Sequence, residues 1–281
     1  MSQWFQNGKR VESLAIDDRA VQYGDGLFET IAVRNGEARL IDLHMDRLTR
    51  GCARLQIGMP DVAALLDDLA FAIQQSHEMS GYCVAKIIVS SGVSQRGYGR
   101  SRPPTPTVLI GAFPARPVSA SAYRNGVDTM RCEIRLATGS PTAGLKTLNR
   151  IEQVLGRSEC ISSGAFEGLM LDAADRLICG TMSNVFMVSE QKIVTPTLRR
   201  CGVEGVMRRF AIDCLRDDGV EVHEGDVTFD EFMAADEIFL TNSQFGALPV
   251  SRIGDHARET RDMTRHVMGV LARNGIAECA A

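Results

Sequence analysis

Tight hairpin turns alternate with helical segments along the first half of this chain, and that alternation limits the folds it can adopt. Asn7-Gly8 and Asn35-Gly36 each separate two short apolar runs, a pattern typical of two-residue β-hairpin turns. The segment 44–55 instead carries apolar residues at helical spacing. Hairpins mixed with helices favour an α+β fold over a single doubly wound parallel sheet.

A stretch near the middle of the sequence has the composition of a linker. Residues 113–121 read FPARPVSAS, rich in proline and small residues. We therefore predict an N-terminal α+β domain over residues 1–113, a linker over 114–122 and a C-terminal α+β domain over 123–281. A chain of 281 residues is long enough to bury two such cores.

Composition excludes several classes of protein. The net charge of −4 and the lack of any block of like charge argue against nucleic-acid or membrane binding. No apolar run approaches the roughly 18 residues of a membrane span, and the first residues do not resemble a signal peptide. The eight cysteines are scattered and the five histidines lack metal-ligand spacing. These features predict a cytoplasmic protein with reduced cysteines and no metal site.

Lysine chemistry has only four candidates, because nearly all the basic residues are arginine. Lys9 and Lys192 adjoin turns, where a lysine is normally solvated. Lys86 lies within the strand-like run YCVAKIIVS, where we expect an outward-facing side chain. Lys146 follows a loop of small residues, TGSPTAGL, and precedes TLNR. A desolvated lysine there could form a Schiff base, although a surface lysine at a helix start fits the local sequence equally well.

Two loops could bind a ligand. The segment GVEGVMR at 202–208 places glycines before a helix, an arrangement that binds phosphate but also occurs in ordinary turns. The segment TNSQFG at 241–246 is a polar turn directly after an apolar strand. No G-x-G-x-x-G, Walker or G-x-S-x-G motif is present, which weakens nicotinamide, nucleotide and hydrolase hypotheses.

These segments belong to a larger set of motifs. The set, in chain order, is DRAVQYGDGLFET at 18–30, HMDRL at 44–48, KTLNR at 146–150, SNVF at 183–186, GVMR at 205–208 and NS at 242–243. With it the chain resembles class IV (fold type IV) pyridoxal-phosphate enzymes over nearly its whole length. RGY at 96–98 and LNRIEQVL at 148–155 are most similar to the aminodeoxychorismate lyases of that class.

The resemblance implies a fold, a cofactor and a set of site residues. The fold would be the two-domain α+β fold of D-amino-acid aminotransferases, with the active site in the cleft between the domains, and the protein would be a homodimer acting on a small molecule. Lys146 would hold pyridoxal 5'-phosphate as a Schiff base and act as the proton-transfer base. The cofactor phosphate would be bound by Arg47, the amides of Val206 and Met207, and Ser243 with the amide of Gln244. The cofactor ring would be lined by Asn149, Arg150, Cys179, Ser183 and Asn184, and the substrate would contact Glu29, Arg96 and Tyr98.

The implied reaction is the elimination of pyruvate from 4-amino-4-deoxychorismate, which gives 4-aminobenzoate for folate biosynthesis. Two alternatives remain open on the sequence: a branched-chain or D-amino-acid aminotransferase of the same class, and a degenerate protein that only binds the cofactor.

One position departs from the family pattern. The family normally has a glutamate five residues before the asparagine of Ser183-Asn184, where it pairs with the pyridine nitrogen and keeps it protonated. Here that position is Cys179, and Asp172 and Asp175 lie beyond a turn. A protonated ring nitrogen without a counter-charge is costly in a buried site, so we expect a largely neutral pyridine. A neutral ring favours elimination over transamination, because the leaving group takes the electrons.

Overall fold

The computed structural model describes residues 3–76, 81–100, 104–258 and 262–280, which form two compact units. The first unit comprises Met1–Pro117 together with Leu145–Asn149, and the second comprises Val118–Gly144 and Arg150–Ala281. The predicted domains placed residues 145–149, and Lys146 with them, in the C-terminal domain. The structure groups them with the first unit, because their backbone pairs with a strand of that unit.

The first unit is a sheet covered by helices. Its described elements are β1 (Gln3–Gln6), β2 (Lys9–Val11), α1 (Arg19–Tyr23), β3 (Gly26–Arg34), β4 (Glu37–Ala38), α2 (Ile41–Leu55), α3 (Val62–Gln75), β5 (Tyr82–Ser90) and β6 (Thr107–Pro114). The strand order is β2-β1-β6-β5-β3-β4, and every pair is antiparallel. Asn35 and Gly36 adopt positive φ between β3 and β4, as the sequence predicts for a tight hairpin.

The core of the first unit forms where α2 and α3 pack on this sheet. Ile31 of β3 and Ile87 of β5 are fully buried, and Leu48 of α2 and Leu69 of α3 complete the same apolar cluster. Residues of β5 alternate between more and less buried positions, because successive side chains of a strand point to opposite faces. Burying such aliphatic side chains contributes about 2 kcal/mol each to stability.

The second unit is built on a larger mixed sheet. Its described elements are α4 (Ala120–Asn125), β7 (Val127–Leu136), α5 (Ile151–Ser163), β8 (Glu167–Asp172), β9 (Leu177–Gly180), β10 (Asn184–Ser189), β11 (Lys192–Pro196), α6 (Val206–Asp217), β12 (Val222–Gly225), α7 (Phe229–Ala234), β13 (Glu237–Asn242), β14 (Gly246–Ile253), β15 (His256–Ala257), α8 (Asp262–Arg273) and a 3-10 turn at Ala277–Ala280. The strand order is β12-β11-β10-β13-β14-β7-β8-β9, with β15 paired to β14.

Parallel and antiparallel pairs are mixed in this sheet. The pairs β11–β12, β14–β7 and β7–β8 are parallel, and the other pairs are antiparallel. Phe186 of β10 and Phe239 of β13 are fully buried and stack with their ring centroids 4.7 Å apart. In the part of the chain that the structure describes, no helix has the length and apolar character of a membrane span.

Candidate active site

A buried ionic cluster forms where α2 crosses β3 in the first unit. The Arg47 guanidinium donates from Nε to Glu29 Oε1 at 2.9 Å and from Nη2 to Glu29 Oε2 at 2.5 Å. His44 Nδ1 lies 2.6 Å from the same Oε2. All three side chains are buried. Two parallel hydrogen bonds hold a guanidinium more rigidly than a single contact, so the orientation of Arg47 is fixed before any ligand binds.

The members of this cluster differ in their protonation and therefore in their charge. Burial raises the pKa of Glu29, but Arg47 and His44 outweigh it and lower the pKa to about 2. Burial lowers the pKa of His44, and the charges of Arg47 and Lys146 lower it further against the opposing effect of Glu29. Glu29 is therefore an anion and His44 a neutral donor through Nδ1–H. The resemblance implies that Glu29 contacts the substrate, but its two oxygens are bound by Arg47 and His44, which favours a role in holding Arg47.

The local sequence explains how α2 comes so close to β3. Positions 44 and 47 of α2 lie three residues apart and so share one face of the helix. One turn later Gly51 meets Leu27, and a Cβ at Gly51 would lie only 2.8 Å from Leu27 Cδ1. The glycine lets the helix lie close against the strand.

Lys146 is placed by backbone pairing with the start of β3. The Phe28 amide donates to the Lys146 carbonyl at 3.0 Å, and the Leu148 amide donates to Gly26 at 2.9 Å. The Lys146 ammonium lies 4.2 Å from the centre of the Phe28 ring, which forms an apolar wall beside it. Leu145 enters the buried core of the first unit and anchors the segment at its start.

Asn149 follows three residues after Lys146. Its Nδ2 donates to the Tyr23 carbonyl at 3.0 Å, and Gly24 leaves the space that this amide fills. The resemblance places Asn149 along the cofactor ring, whereas in the structure its amide fastens the lysine segment to α1.

A second lysine adjoins the same aromatic ring. Lys86 of β5 is half-buried, and its ammonium lies 4.9 Å from the centre of the Phe28 ring. Burial lowers the pKa of Lys86. The sequence predicts an outward-facing strand lysine, and the pattern of YCVAKIIVS gives no sign of this partly enclosed setting.

Arg96 and Tyr98 lie on a loop after β5. Both are exposed, with Tyr98 88% accessible. Arg19 fixes the backbone of this loop by donating to the Gly97 carbonyl at 2.9 Å and to the Tyr98 carbonyl at 3.1 Å. The structure thus holds the loop in place but brings neither predicted substrate-binding side chain into the ionic cluster.

In the second unit a buried carboxylate organises the segment between β9 and β10. Glu167 is fully buried and accepts hydrogen bonds from Thr181 Oγ1 and from Ser183 Oγ at 2.6 Å. It also accepts from the amides of Gly168, Thr181 and Met182. Five donors satisfy a buried carboxylate and fix the backbone around it. The sequence pattern indicated only Asp172 and Asp175 as nearby acids. It did not indicate Glu167, at the start of β8, which the antiparallel pairing of β8 with β9 brings to this segment.

Cys179 lies next to this segment in an apolar cluster of strand, helix and loop residues. It is buried, and burial raises its pKa, with smaller contributions from Cys201 and Glu167. The thiol is therefore neutral at any physiological pH and cannot supply the negative charge of a carboxylate. Burial also lowers the pKa of Arg150, which nevertheless stays charged at neutral pH because arginine begins from so high a value.

The amino terminus of α6 is suited to bind an anion. Its N-cap is Gly205, so no side chain caps the first amides of Val206 and Met207. A Cβ at Gly205 would overlap Asn184 Oδ1. Asn184 Nδ2 in turn donates to the Val203 carbonyl at 3.0 Å, which ties β10 to the loop before the helix.

Ser243 and Gln244 form the turn between β13 and β14. The amide of Gln244 donates to Asn242 Oδ1 at 2.7 Å. That amide, which the resemblance assigns to the cofactor phosphate, is therefore engaged within the turn itself. The neighbouring Thr241 hydroxyl is buried and has no hydrogen-bond partner among the described residues.

Within each unit, taken by itself, there are groups that suit the phosphate of a cofactor. In the first unit the oriented Arg47 guanidinium favours an anion. In the second unit the uncapped amides at the start of α6 do the same. His44 Nε2 in the first unit and Thr241 Oγ1 in the second are buried and have no hydrogen-bond partner among the described residues. No group of three or more potential ligands suited to a metal ion occurs in the described ranges.

The chain belongs to the class IV aminotransferase family, whose model matches residues 26–253. The chain resembles the crystal structure of 4-amino-4-deoxychorismate lyase from Pseudomonas aeruginosa with a TM-score of 0.91. The two sequences are 39% identical, and the match covers 97% of this chain and 99% of that one. The chain is 35% identical to the aminodeoxychorismate lyase of Vibrio harveyi, over 88% of this chain and 90% of that protein. A putative branched-chain-amino-acid aminotransferase of Methanocaldococcus jannaschii is 26% identical, over 89% of this chain and 87% of its own length. The predicted family and its α+β fold are confirmed.

Proposed function

We propose that this protein is an aminodeoxychorismate lyase, which eliminates pyruvate from 4-amino-4-deoxychorismate and leaves 4-aminobenzoate for folate biosynthesis. The observation that carries the proposal is the 39% identity to a lyase structure at a TM-score of 0.91, across nearly the full length of both chains. Within the chain, the placement of Lys146 against Phe28 and beside the Glu29–His44–Arg47 cluster supports it.

Pyridoxal 5'-phosphate is the cofactor of this proposal, and when bound it supplies an electron sink for the carbon that loses a proton. Arg47 and the amides of Val206 and Met207 would bind its phosphate, with Ser243 as a further donor. Glu29 would keep Arg47 in the orientation that phosphate binding needs. Cys179, Ser183, Asn184 and Arg150 would surround the ring, with Glu167 holding the Ser183 hydroxyl in place.

Lys146 is the proposed base. Its amine takes the proton from the amine-bearing carbon of the substrate, and the electron pair left behind forms a carbon–carbon double bond. The bond between the neighbouring carbon and the enolpyruvyl oxygen breaks, the oxygen keeps the bonding electrons, and the released enolate gains a proton on its terminal carbon to become pyruvate. Loss of this group makes the six-membered ring aromatic, which provides much of the driving force.

Cys179 supports a lyase over an aminotransferase. Transamination must stabilise a carbanion long enough for protonation at a cofactor carbon, which requires a strong electron sink. A neutral thiol in place of a carboxylate leaves the pyridine nitrogen without a counter-charge, and the sink is correspondingly weaker. Elimination needs less help because the leaving group carries the electrons away.

An aminotransferase of branched-chain or D-amino acids is the second candidate, favoured by the similarity to the Methanocaldococcus jannaschii protein. Purified protein loaded with pyridoxal phosphate should release pyruvate from 4-amino-4-deoxychorismate, measured with a coupled lactate dehydrogenase assay. With branched-chain or D-amino acids it should accumulate little of the pyridoxamine form. The opposite pattern would identify an aminotransferase, and cofactor binding without either reaction would identify a degenerate member.

Lys146→Ala provides the residue-level test. We expect pyruvate release to fall by at least about 10³-fold, since both the covalent attachment and the base are lost. Lys192→Ala, at the exposed start of β11, is the matched control and should keep full activity. Full activity in Lys146→Ala would refute the assignment.

We further propose a homodimer located in the cytoplasm. Helix α5 exposes a row of apolar side chains, Ile151, Val154, Leu155 and Ile161, of which Ile161 is 72% accessible. Apolar side chains clustered on one helix are typical of an interface. All eight cysteines are buried and free, which suits a reducing compartment. Light scattering coupled to gel filtration tests the oligomeric state, and Val154→Glu should shift the protein towards monomer.

A further inference from the structure

Two lysines share one aromatic ring in the first unit. The ammonium of Lys146 lies 4.2 Å and that of Lys86 lies 4.9 Å from the centre of the Phe28 ring. Both distances end at the same point, so the two nitrogens lie within roughly 9 Å of each other, a range over which like charges in a partly desolvated site interact measurably.

The sheet fixes Lys86 in this place. Lys86 lies on β5 between Thr30 of β3 and Gly111 of β6, with strands on both sides. Its side chain is half-buried, and no carboxylate pairs with its ammonium among the described residues. Because no carboxylate among these residues neutralises it, the positive charge of Lys86 acts electrostatically on the groups around it.

The ionic cluster of Glu29, Arg47 and His44 lies near Lys146 and nearly balances its own charge. Glu29 and Arg47 form a buried ion pair through two hydrogen bonds, and His44, whose pKa is lowered in part by Lys146, is neutral. The cluster therefore contributes little net charge. Lys86 adds a positive charge that this cluster does not balance.

We propose that Lys86 is a positioning residue that acts through Lys146: its fixed positive charge lowers the proton affinity of the Lys146 amine. A neighbouring cation disfavours the protonated form of an amine, so the neutral amine, which bonds to a carbonyl carbon and accepts a proton, is more populated at neutral pH. The inference rests on the proposed function only for the role given to Lys146.

The test measures the proton affinity of Lys146 directly in the full-length protein without added cofactor. Trace acetylation with acetic anhydride at a series of pH values, followed by mass spectrometry of the peptide that contains Lys146, gives the pKa of this amine. We expect Lys86→Gln to raise it by about one unit. Lys86→Met, which keeps an apolar stem against Phe28, should do the same.

Two controls separate charge from structure. Lys86→Arg keeps the charge, and Lys9→Gln removes an exposed lysine from the same sheet. Both should leave the pKa of Lys146 unchanged, and all four variants should share the melting temperature of the parent to within a few degrees. A shift below about 0.3 unit in both neutral variants, or an equal shift in Lys86→Arg, would overturn the proposal.

The loaded enzyme gives a second readout. The acidic limb of the pH profile for pyruvate release should move upward in Lys86→Gln and stay in place in Lys86→Arg. If the acetylation experiment shows the shift but no variant or parent releases pyruvate, the coupling of the two lysines stands and the proposed lyase function fails.

Discussion

The Glu29 carboxylate accepts hydrogen bonds from both Nε and Nη2 of Arg47, at 2.9 and 2.5 Å, in the buried space between β3 and α2. This pair fixes the only side chain of the first unit that we assign to the cofactor phosphate. The pair also buries a negative and a positive charge together. Removing either side chain would leave the other charge buried without its counter-charge.

Glu29→Gln should therefore destabilise the protein and weaken cofactor binding. We expect a loss of about 3 kcal/mol in the free energy of unfolding, because Arg47 keeps its charge without a buried counter-charge. Urea denaturation measures the stability, and fluorescence titration with pyridoxal phosphate measures the affinity. Glu12→Gln is the control: Glu12 pairs with Arg10 on the exposed surface, and its loss should cost less than about 0.5 kcal/mol. Equal effects of the two substitutions would contradict this account.

The same carboxylate makes stability depend on pH in a defined direction. Its folded-state pKa of about 2 lies below the ordinary value of 4.5, so the unfolded chain binds a proton first as the pH falls. Its contribution is fully present above about pH 4.5 and is lost as the pH falls towards 2. Asp25, whose burial is outweighed by hydrogen bonds from Arg100, Ser91 and Arg19, also has a pKa of about 2 and acts in the same direction.

Measured by urea denaturation, the stability gap between the parent and Glu29→Gln should thus be constant from pH 7 to 5 and shrink between pH 4.5 and 2. A gap that stays constant down to pH 2 would show that the Glu29 carboxylate does not carry the effect.

Gly205→Ala should close the start of α6, where we propose that the cofactor phosphate binds. The new methyl group would overlap Asn184 Oδ1, and moving that amide breaks its hydrogen bond to Val203. Gly205 has a φ of −65°, so backbone strain plays no part in the effect. We expect cofactor affinity to fall by roughly tenfold or more, corresponding to about 1–2 kcal/mol.

Gly225→Ala is the matched control for that substitution, because no atom lies within 4 Å of a Cβ at Gly225. Its affinity for pyridoxal phosphate should equal that of the parent. Unchanged affinity in Gly205→Ala would remove α6 from the proposed phosphate site.

Cys179→Glu should change the selectivity between transamination and pyruvate release more than it changes the overall rate. A carboxylate at this position restores the counter-charge for a protonated pyridine nitrogen, so the transamination half-reaction should rise by a larger factor than pyruvate release. Cys179→Ser, which stays neutral, should raise neither. The two activities are compared on the same preparations by single-turnover spectroscopy and the pyruvate assay. A proportional rise in both activities would contradict the link between Cys179 and selectivity.

Local features of the fold could be predicted from local sequence. The hairpin at Asn35-Gly36 and the helix over the segment 44–55 follow from turn chemistry and apolar periodicity, which act over a few residues. The family motifs predicted the family and its α+β fold, and the comparisons confirm both. The choice of Lys146 among the four lysines came from the motif resemblance and stays a prediction, because the sequence around it fits a surface lysine equally well.

The sequence alone therefore determined the family, the fold class and the chemical types available at the site. Only the tertiary structure decided which of these groups meet: Glu29 with Arg47 and His44, Lys86 with Lys146 across Phe28, and Glu167 with Ser183. Each of these pairs joins residues that are far apart in the chain, and their burial and charge depend on strand order and helix packing. The local sequence pattern does not encode those long-range contacts. Only the folded protein therefore shows that the lysine at position 86 is partly enclosed and that the glutamate at position 167 is bound by Ser183.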